Sequence, residues 1–265
     1  MRNLSSDLSG RQPRQLPGME LRKRAERYFG FGAASSVTSW LMNLWEYVED
    51  RWDLILFETA QHASMVAQCV LVAAVLGVLV GVATYRHPRM ASLATSSAGV
   101  LFTVPSLALL GLMIPLLGLG VAPSVTAIVI YALLPIVRNT VVGLQGVDPL
   151  LVDAARGIGM SRRRTLARIE LPLAWPVILT GIRVSTQLAM GIGAVAAYVS
   201  GPGLGEQIFS GLARLGGANA VNATLTGTIG VAVLALLFDA CYVLLGRLTA
   251  PDGPLRRLVT RSAHV

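Results

Sequence analysis

Along the 265 residues, charge is missing from long runs and gathered between them. An uncharged run of about 20 residues rises about 30 Å as a helix, which matches the hydrocarbon core of a bilayer. Five runs with at most one charge each fit this length: residues 63–85, 93–119, 121–142, 175–199 and 221–245. They predict an all-α bundle of transmembrane helices. The first carries Gly77-x-x-x-Gly81, a face small enough for close helix contact. The second is broken by Pro105 and Pro115. The third holds Pro135 and Arg138 near its end, and the fifth holds one charge, Asp239. Prolines inside spans are tolerated where neighbours or a cavity satisfy the backbone, which suits a gate.

The beginning of the chain reads differently. Residues 1–27 are polar and basic, and are expected to be disordered or to lie along a membrane surface. No apolar core with a small-residue cleavage site follows closely, so this is not a secretory signal. Residues 28–45 lack charge but barely reach span length. The acidic, aromatic stretch behind them holds Trp45, Glu46, Tyr47, Glu49, Asp50, Trp52 and Asp53. This region reads as a sixth, short span or as an interfacial elbow. The resulting division is a tail and elbow over 1–57, a transmembrane unit over 58–250 with a polar loop at 143–172, and a tail over 251–265.

Composition agrees with the pattern. The chain is 54% hydrophobic and 14% charged, where a soluble domain carries about a quarter charged residues. The net charge of +8 would suit nucleic-acid binding, but the arginines cluster at the ends of the apolar runs. That is a positive-inside signal. With the 143–172 loop inside, its Arg156, Arg162, Arg163, Arg164 and Arg168 fall on the cytoplasmic side. Alternation places Arg86, Arg89 and Arg247 there too, and leaves Glu206 and Arg214 outside. Five spans put the basic N-terminus outside. A sixth would bring it inside, and the sequence leaves both open.

Several chemistries are excluded. A phosphate-binding loop needs a lysine followed by Ser or Thr. The only lysine, Lys23, precedes Arg24 and follows no glycine loop. Cys69 and Cys241 lie inside apolar runs with no partner cysteine, and His62, His87 and His264 are scattered, so no metal site is expected. No G-x-S-x-G, H-E-x-x-H or paired carboxylate points to an enzyme, and no catalytic residue is assigned.

A loop of about 30 residues is long for a connector. Asp153, Ala154 and Ala155 suit a helix start, and Gly157 and Gly159 its end. Ser161 can cap a second helix running to Ile169, with Pro172 ending it. Small residues on the first helix would let another surface come close. The order Asp153-Ala154-Ala155, Gly159, Ile169-x-Leu171-Pro172 resembles the coupling ("EAA") loop of ABC importer permeases. The spacing matches throughout, and Asp153 for Glu is the one departure. The resemblance implies that the loop docks on a separate cytoplasmic ATPase, with Ala154, Ala155 and Gly159 at the contact. ATP and Mg would be used by that partner, and this chain would bind no cofactor.

Thr103-Val-Pro-Ser, Ile114-Pro-Leu-Leu-Gly, Leu134-Pro-Ile-Val-Arg-Asn, Gly157-Ile-Gly-Met and Gly201-Pro-Gly-Leu-Gly are similar to the permeases of osmoprotectant importers. That group handles glycine betaine, carnitine, choline and related quaternary ammonium solutes. The resemblance implies a type I importer permease in a bacterial cytoplasmic membrane. It would pair with a second permease, identical or paralogous, and with an extracytoplasmic binding protein. The alternatives are an amino-acid ABC permease and an ATP-independent secondary carrier.

Ionisable groups at membrane depth usually face a bundle interior or water. Asp239 is therefore a pathway candidate, or it pairs with an arginine to lock helices. Ser185, Thr186 and Gln187 form a polar patch that lines the pathway or bonds between helices. Arg138 and Arg183 are read as snorkelling toward the cytoplasmic surface. Residues 201–219 are read as a re-entrant or surface segment outside.

Overall fold

The computed structural model describes residues 37–249, and among them every regular element is helical. A short α1 (Val37–Asp50) turns at Arg51 into the long α2 (Trp52–Thr84). Then come α3 (Pro88–Phe102), α4 (Ser106–Leu117) and α5 (Val121–Gln145). The loop helix α6 (Pro149–Gly157) precedes α7 (Arg162–Val199), which contains a π turn over Leu166–Glu170. The small α8 (Gly205–Ala213) and α9 (Ala220–Thr249) complete the order.

Four helices, α2, α5, α7 and α9, are long and apolar enough to cross a membrane, and the bent pair α3–α4 makes up to five. Four of the five expected spans are single helices of this kind. The second differs from a straight rod: α3 and α4 meet at 93° across Thr103 to Pro105. Pro105 has no N–H and sits at the cap of α4, where none is needed. The Tyr131 hydroxyl donates to the Val104 carbonyl and satisfies the opened backbone. Pro115 and Pro135, by contrast, lie inside continuous helices and break nothing.

α5 is the centre. Buried side chains run round most of it, including Ala127, Ile128, Tyr131, Ile136, Thr140, Val141 and Leu144, the mark of a helix covered on all sides. It packs chiefly on α2 and α7. In a bilayer, close van der Waals packing rather than water exclusion holds helices together, so small residues sit at the crossings. A Cβ at Gly77 would lie 2.7 Å from Ile136 Cγ2, and one at Gly81 2.5 Å from Thr140 Cγ2. The Gly77/Gly81 pair is thus the close-packing face against α5. Gly181 of α7 is equally tight against Asn139 and the Pro135 carbonyl.

The described part of the first stretch is a helix of 14 residues, about 21 Å long. Tyr47 on it is buried, and Leu41, Met42 and Trp45 are exposed. The rest of the expected short span, 28–36, lies outside the described residues, as do both expected tails over 1–27 and 251–265. α2 runs unbroken from Trp52, ahead of the boundary read at 58.

The outer segment is more structured than a surface loop. Leu204 is fully buried, and α8 packs along α9. A Cβ at Gly205 would sit 2.1 Å from the Ala194 carbonyl oxygen, so only glycine fits there. Gly203 has φ +118, a conformation that L side chains rarely adopt, and lies over His62.

Candidate functional site

The loop between α5 and α7 is built by local rules. Pro149 opens α6 at a position where its missing N–H costs nothing. The Asp148 carboxylate caps it, accepting from Leu150 N at 2.8 Å. The helix therefore starts upstream of the expected start at Asp153-Ala154-Ala155, because the stronger cap, Asp148 before Pro149, comes first. The end is as expected. Gly159 takes φ +82, its N–H bonds Arg156 O at 2.9 Å, and Met160 N bonds Ala155 O at 3.0 Å. Those two bonds form a Schellman closure. Ser161 caps the next helix at 3.4 Å from Arg164 N.

Pro172 does not end that helix. It continues to Val199, and the physical reason is the π turn ahead of the proline. Leu171 N bonds Leu166 O, one residue farther than in an α turn, which loosens the coil where the Pro172 ring must pass.

α6 has two unlike faces. Ala155 is buried against its own chain, and Leu151 and Val152 are half-buried. Leu150, Ala154, Gly157 and Ile158 are exposed, Leu150 at 75% and Ile158 at 80%. Spacings of four, seven and eight place these four on one stripe. Nothing lies within 4 Å of a Cβ built at Gly157 or Gly159, so the ground above the stripe is open. Asp153 is exposed and pairs with Arg156 at 3.5 Å. Of the residues expected at a contact, Ala154 and Gly159 are on the open side, with Gly157 beside them. Ala155 is not. Leu150 and Ile158 are the additions that helix phase reveals. Ile169 and Leu171 are half-buried in the stem, and Pro172 is exposed. Leu171 and Pro172 line a cleft of about 330 Å³ with Val78 and Trp175.

At the root of the loop lies a cluster that the sequence pattern did not point to. Glu170 is 4% exposed. The Tyr85 hydroxyl donates to its Oε2, and Arg86 Nη2 donates to Oε2 at 3.0 Å and Oε1 at 3.3 Å. Arg86 Nε donates to the Tyr85 hydroxyl, and Gln145 Nε2 donates to the Tyr85 carbonyl at 2.9 Å. Burial, with the Glu170 carboxylate beside it, pushes the Tyr85 phenol up to about 12. Burial opposes the charge of Arg86, but the bonds to Glu170 and Tyr85 win and hold its guanidinium above the ordinary value. The available signal was Glu170 itself, a lone acid following five loop arginines.

The expected pathway residues fall together on α7 and α9. Arg183 and Asp239 form a two-pronged pair at 2.5 and 2.6 Å, with side chains 44% and 27% exposed. Arg183 therefore does not snorkel. Gln187 is exposed and donates to Ala235 O at 3.2 Å. Ser185 and Thr186 are fully buried. Ser185 donates to Ala132 O at 2.6 Å, and Thr186 donates to Ile182 O at 2.9 Å and meets the Tyr242 hydroxyl at 2.9 Å. They tie α7 to α5 and α9.

A second polar cluster sits at the outer end. The Tyr47 hydroxyl donates to Gln207 Oε1 at 2.9 Å, and Gln207 lies beside Glu58. His62 Nε2 lies 3.3 Å from Met190 O. Glu58 Oε2 and His62 Nδ1 have no partner among the described residues.

Comparison with known proteins follows the same lines. Residues 73–250 match the family described as binding-protein-dependent transport system inner membrane component. The chain is 37% identical over 217 residues to the osmoprotectant import permease protein OsmW of Salmonella typhimurium, covering 80% of this chain and 99% of that protein. It is 37% identical to the carnitine transport permease protein OpuCB of Listeria monocytogenes, over 70% of this chain and 83% of that protein. With the choline transport system permease protein OpuBB of Bacillus subtilis it shares 35%, over 80% and 95%. Among solved structures, a chain of the MetNI methionine ABC transporter in inward facing conformations superposes with a TM-score of 0.67 at 19% identity, covering 77% of this chain and 99% of that one. At that identity the likeness is one of fold.

Proposed function

This chain belongs to the family of inner membrane components of binding-protein-dependent transport systems, and from that membership we propose that it is the permease of an ATP-driven importer for quaternary ammonium osmoprotectants. The observation that carries the solute class is its 34–37% identity to permeases for osmoprotectants, carnitine and choline along most of their length. The protein is a multi-pass component of the inner membrane. A separate ATPase docks on the open α6 stripe of Leu150, Ala154, Gly157 and Ile158. ATP and Mg act there and not on this chain. Asp153 and Arg156 edge that contact, Gly159 turns the chain beneath it, and Ile169, Leu171 and Pro172 root the loop in α7.

An extracytoplasmic binding protein selects the solute, and a second permease completes the path. Asp239 lies ten residues, about 15 Å of helix, before the end of α9. A half-exposed ion pair within a span is costly against lipid. The face bearing Arg183, Asp239 and Gln187 therefore turns to water or to the second permease, and these residues line the path. Ser185 and Thr186 fix α7 behind them.

The test is uptake of labelled glycine betaine, carnitine and choline by cells whose only importer of this class contains this chain, with Ala154→Arg beside it. Saturable, ATP-dependent uptake, lost in Ala154→Arg together with the co-purifying ATPase, supports the reading. Uptake that competes only with an amino acid corrects the solute. Uptake that follows an ion gradient and ignores ATP overturns the importer.

A further inference from the structure

The loop that carries α6 has two roots, the end of α5 and the start of α7. Both are fastened to one corner of the bundle. At the α5 root, Gln145 Nε2 holds the Tyr85 carbonyl at 2.9 Å. At the α7 root, Glu170 takes the Tyr85 hydroxyl and the Arg86 guanidinium. Tyr85 and Arg86 directly follow α2. Arg86 also stacks over the Tyr85 ring, 5.1 Å from its centroid. Glu170 is the last residue of the π turn, where the regular α-helical bonding of α7 is interrupted. π turns are concentrated at functional sites.

Val152 and Leu166 add half-buried apolar packing against the core, which carries no direction of its own. A charge-assisted, two-pronged bond fixes direction as well as distance.

We propose that the Tyr85–Arg86–Glu170 cluster is the joint through which movement of the α6 loop is passed to α2, so that these three residues position the bundle and do not hold the ATPase. The proposal rests on the importer reading. None of the three lies on the exposed stripe of α6. α2 also carries Gly77 and Gly81 against α5. A pull on Tyr85 and Arg86 is therefore delivered along a tightly packed helix to its outer end, at Glu58 and His62.

The experiment uses the whole complex, purified by a tag on this chain and reconstituted in liposomes. Three quantities are read: the ATPase retained, the rate of ATP hydrolysis, and the ATP- and vanadate-dependent change in labelling of a cysteine placed at half-buried Gln61, near the outer end of α2, by a membrane-impermeant maleimide. In Glu170→Gln the ATPase stays bound and hydrolyses ATP, and the labelling change falls at least tenfold. Arg86→Glu does the same, and Arg86→Glu with Glu170→Arg restores the change. Tyr85→Phe, which removes one bond and keeps the ion pair, loses part of it, and this variant carries the test if Glu170→Gln fails to accumulate. A full labelling change in Glu170→Gln or Tyr85→Phe overturns the proposal. So does loss of the ATPase from either, which would make the cluster part of the docking surface. If the unaltered complex holds no ATPase and shows no ATP-dependent change, the importer reading fails as well, and the two failures are told apart.

Discussion

Glu170 at the arginine-rich end and Glu58 at the other are both almost fully buried, at 4% and 6% exposure. Glu170 has both oxygens bonded, to Tyr85 and Arg86. Glu58 has Gln207 on one side and an oxygen without a partner among the described residues on the other. The surfaces around them differ in the opposite sense. The inner end presents α6 with an open stripe that nothing in the described chain covers. The outer end is closed by its own backbone, with Gly203 over His62 and Gly205 on the Ala194 carbonyl. The contrast separates a fully bonded carboxylate beneath an open surface from a half-bonded one beneath a surface closed by its own backbone. A polar group left unbonded in a buried place costs about 1–3 kcal/mol, and among the described residues Glu58 and His62 each carry one such atom while Glu170 carries none.

The largest effect should come from two glycines. Gly205→Val places side-chain atoms inside backbone and should cost about 3 kcal/mol or more, read as lost accumulation and a lower Tm. Gly157→Ala, in open space at the end of α6, should leave stability unchanged or raised by up to about 1 kcal/mol. Equal losses at both positions would erase the distinction between a sealed end and an open one.

Next come the carboxylates. Glu170→Gln leaves Arg86 facing a neutral amide and should cost about 1.5–3 kcal/mol in thermal unfolding. Glu58→Gln removes a half-bonded charge and should fall within about 1 kcal/mol of the native protein, on either side. A larger loss at Glu58 than at Glu170 would reverse the comparison.

Alkaline titration gives a smaller effect. Tyr85 binds its proton more tightly folded than unfolded, since its value rises from 10.0 to about 12. Its contribution is therefore complete below pH 10 and is lost as pH rises toward about 12. The stability difference between the native protein and Tyr85→Phe should be level at neutral pH and shrink across that window. A difference that changes near neutrality would mean another group governs the joint. Smallest of all, Asp153→Ala removes an exposed pair and should change stability by no more than about 0.5 kcal/mol.

Much of the fold is legible in the order of residues. The spans follow from apolar length. Gly77 and Gly81 announce a close contact because small residues are what helix crossings in lipid need. The reach of Pro172 is misread from sequence because a proline rule is local. The π turn that admits it ends on Glu170, whose bonds to Tyr85 and Arg86 come from another part of the chain. The Ser185–Thr186–Gln187 patch divides into buried ties and an exposed residue only once the neighbours at Ala132, Tyr242 and Ala235 are in place.

The sequence alone determined what a single segment can satisfy by itself: span lengths, the proline and glycine marks of the loop, and the chain's likeness to a permease family. Local rules act over one or two turns of helix, and one chain carries them whole. The tertiary structure decided which polar groups meet. Glu170 is 84 residues from Arg86, Asp239 56 from Arg183, and Gln207 160 from Tyr47. Such pairs depend on how the helices cross, and packing of every span together sets that crossing.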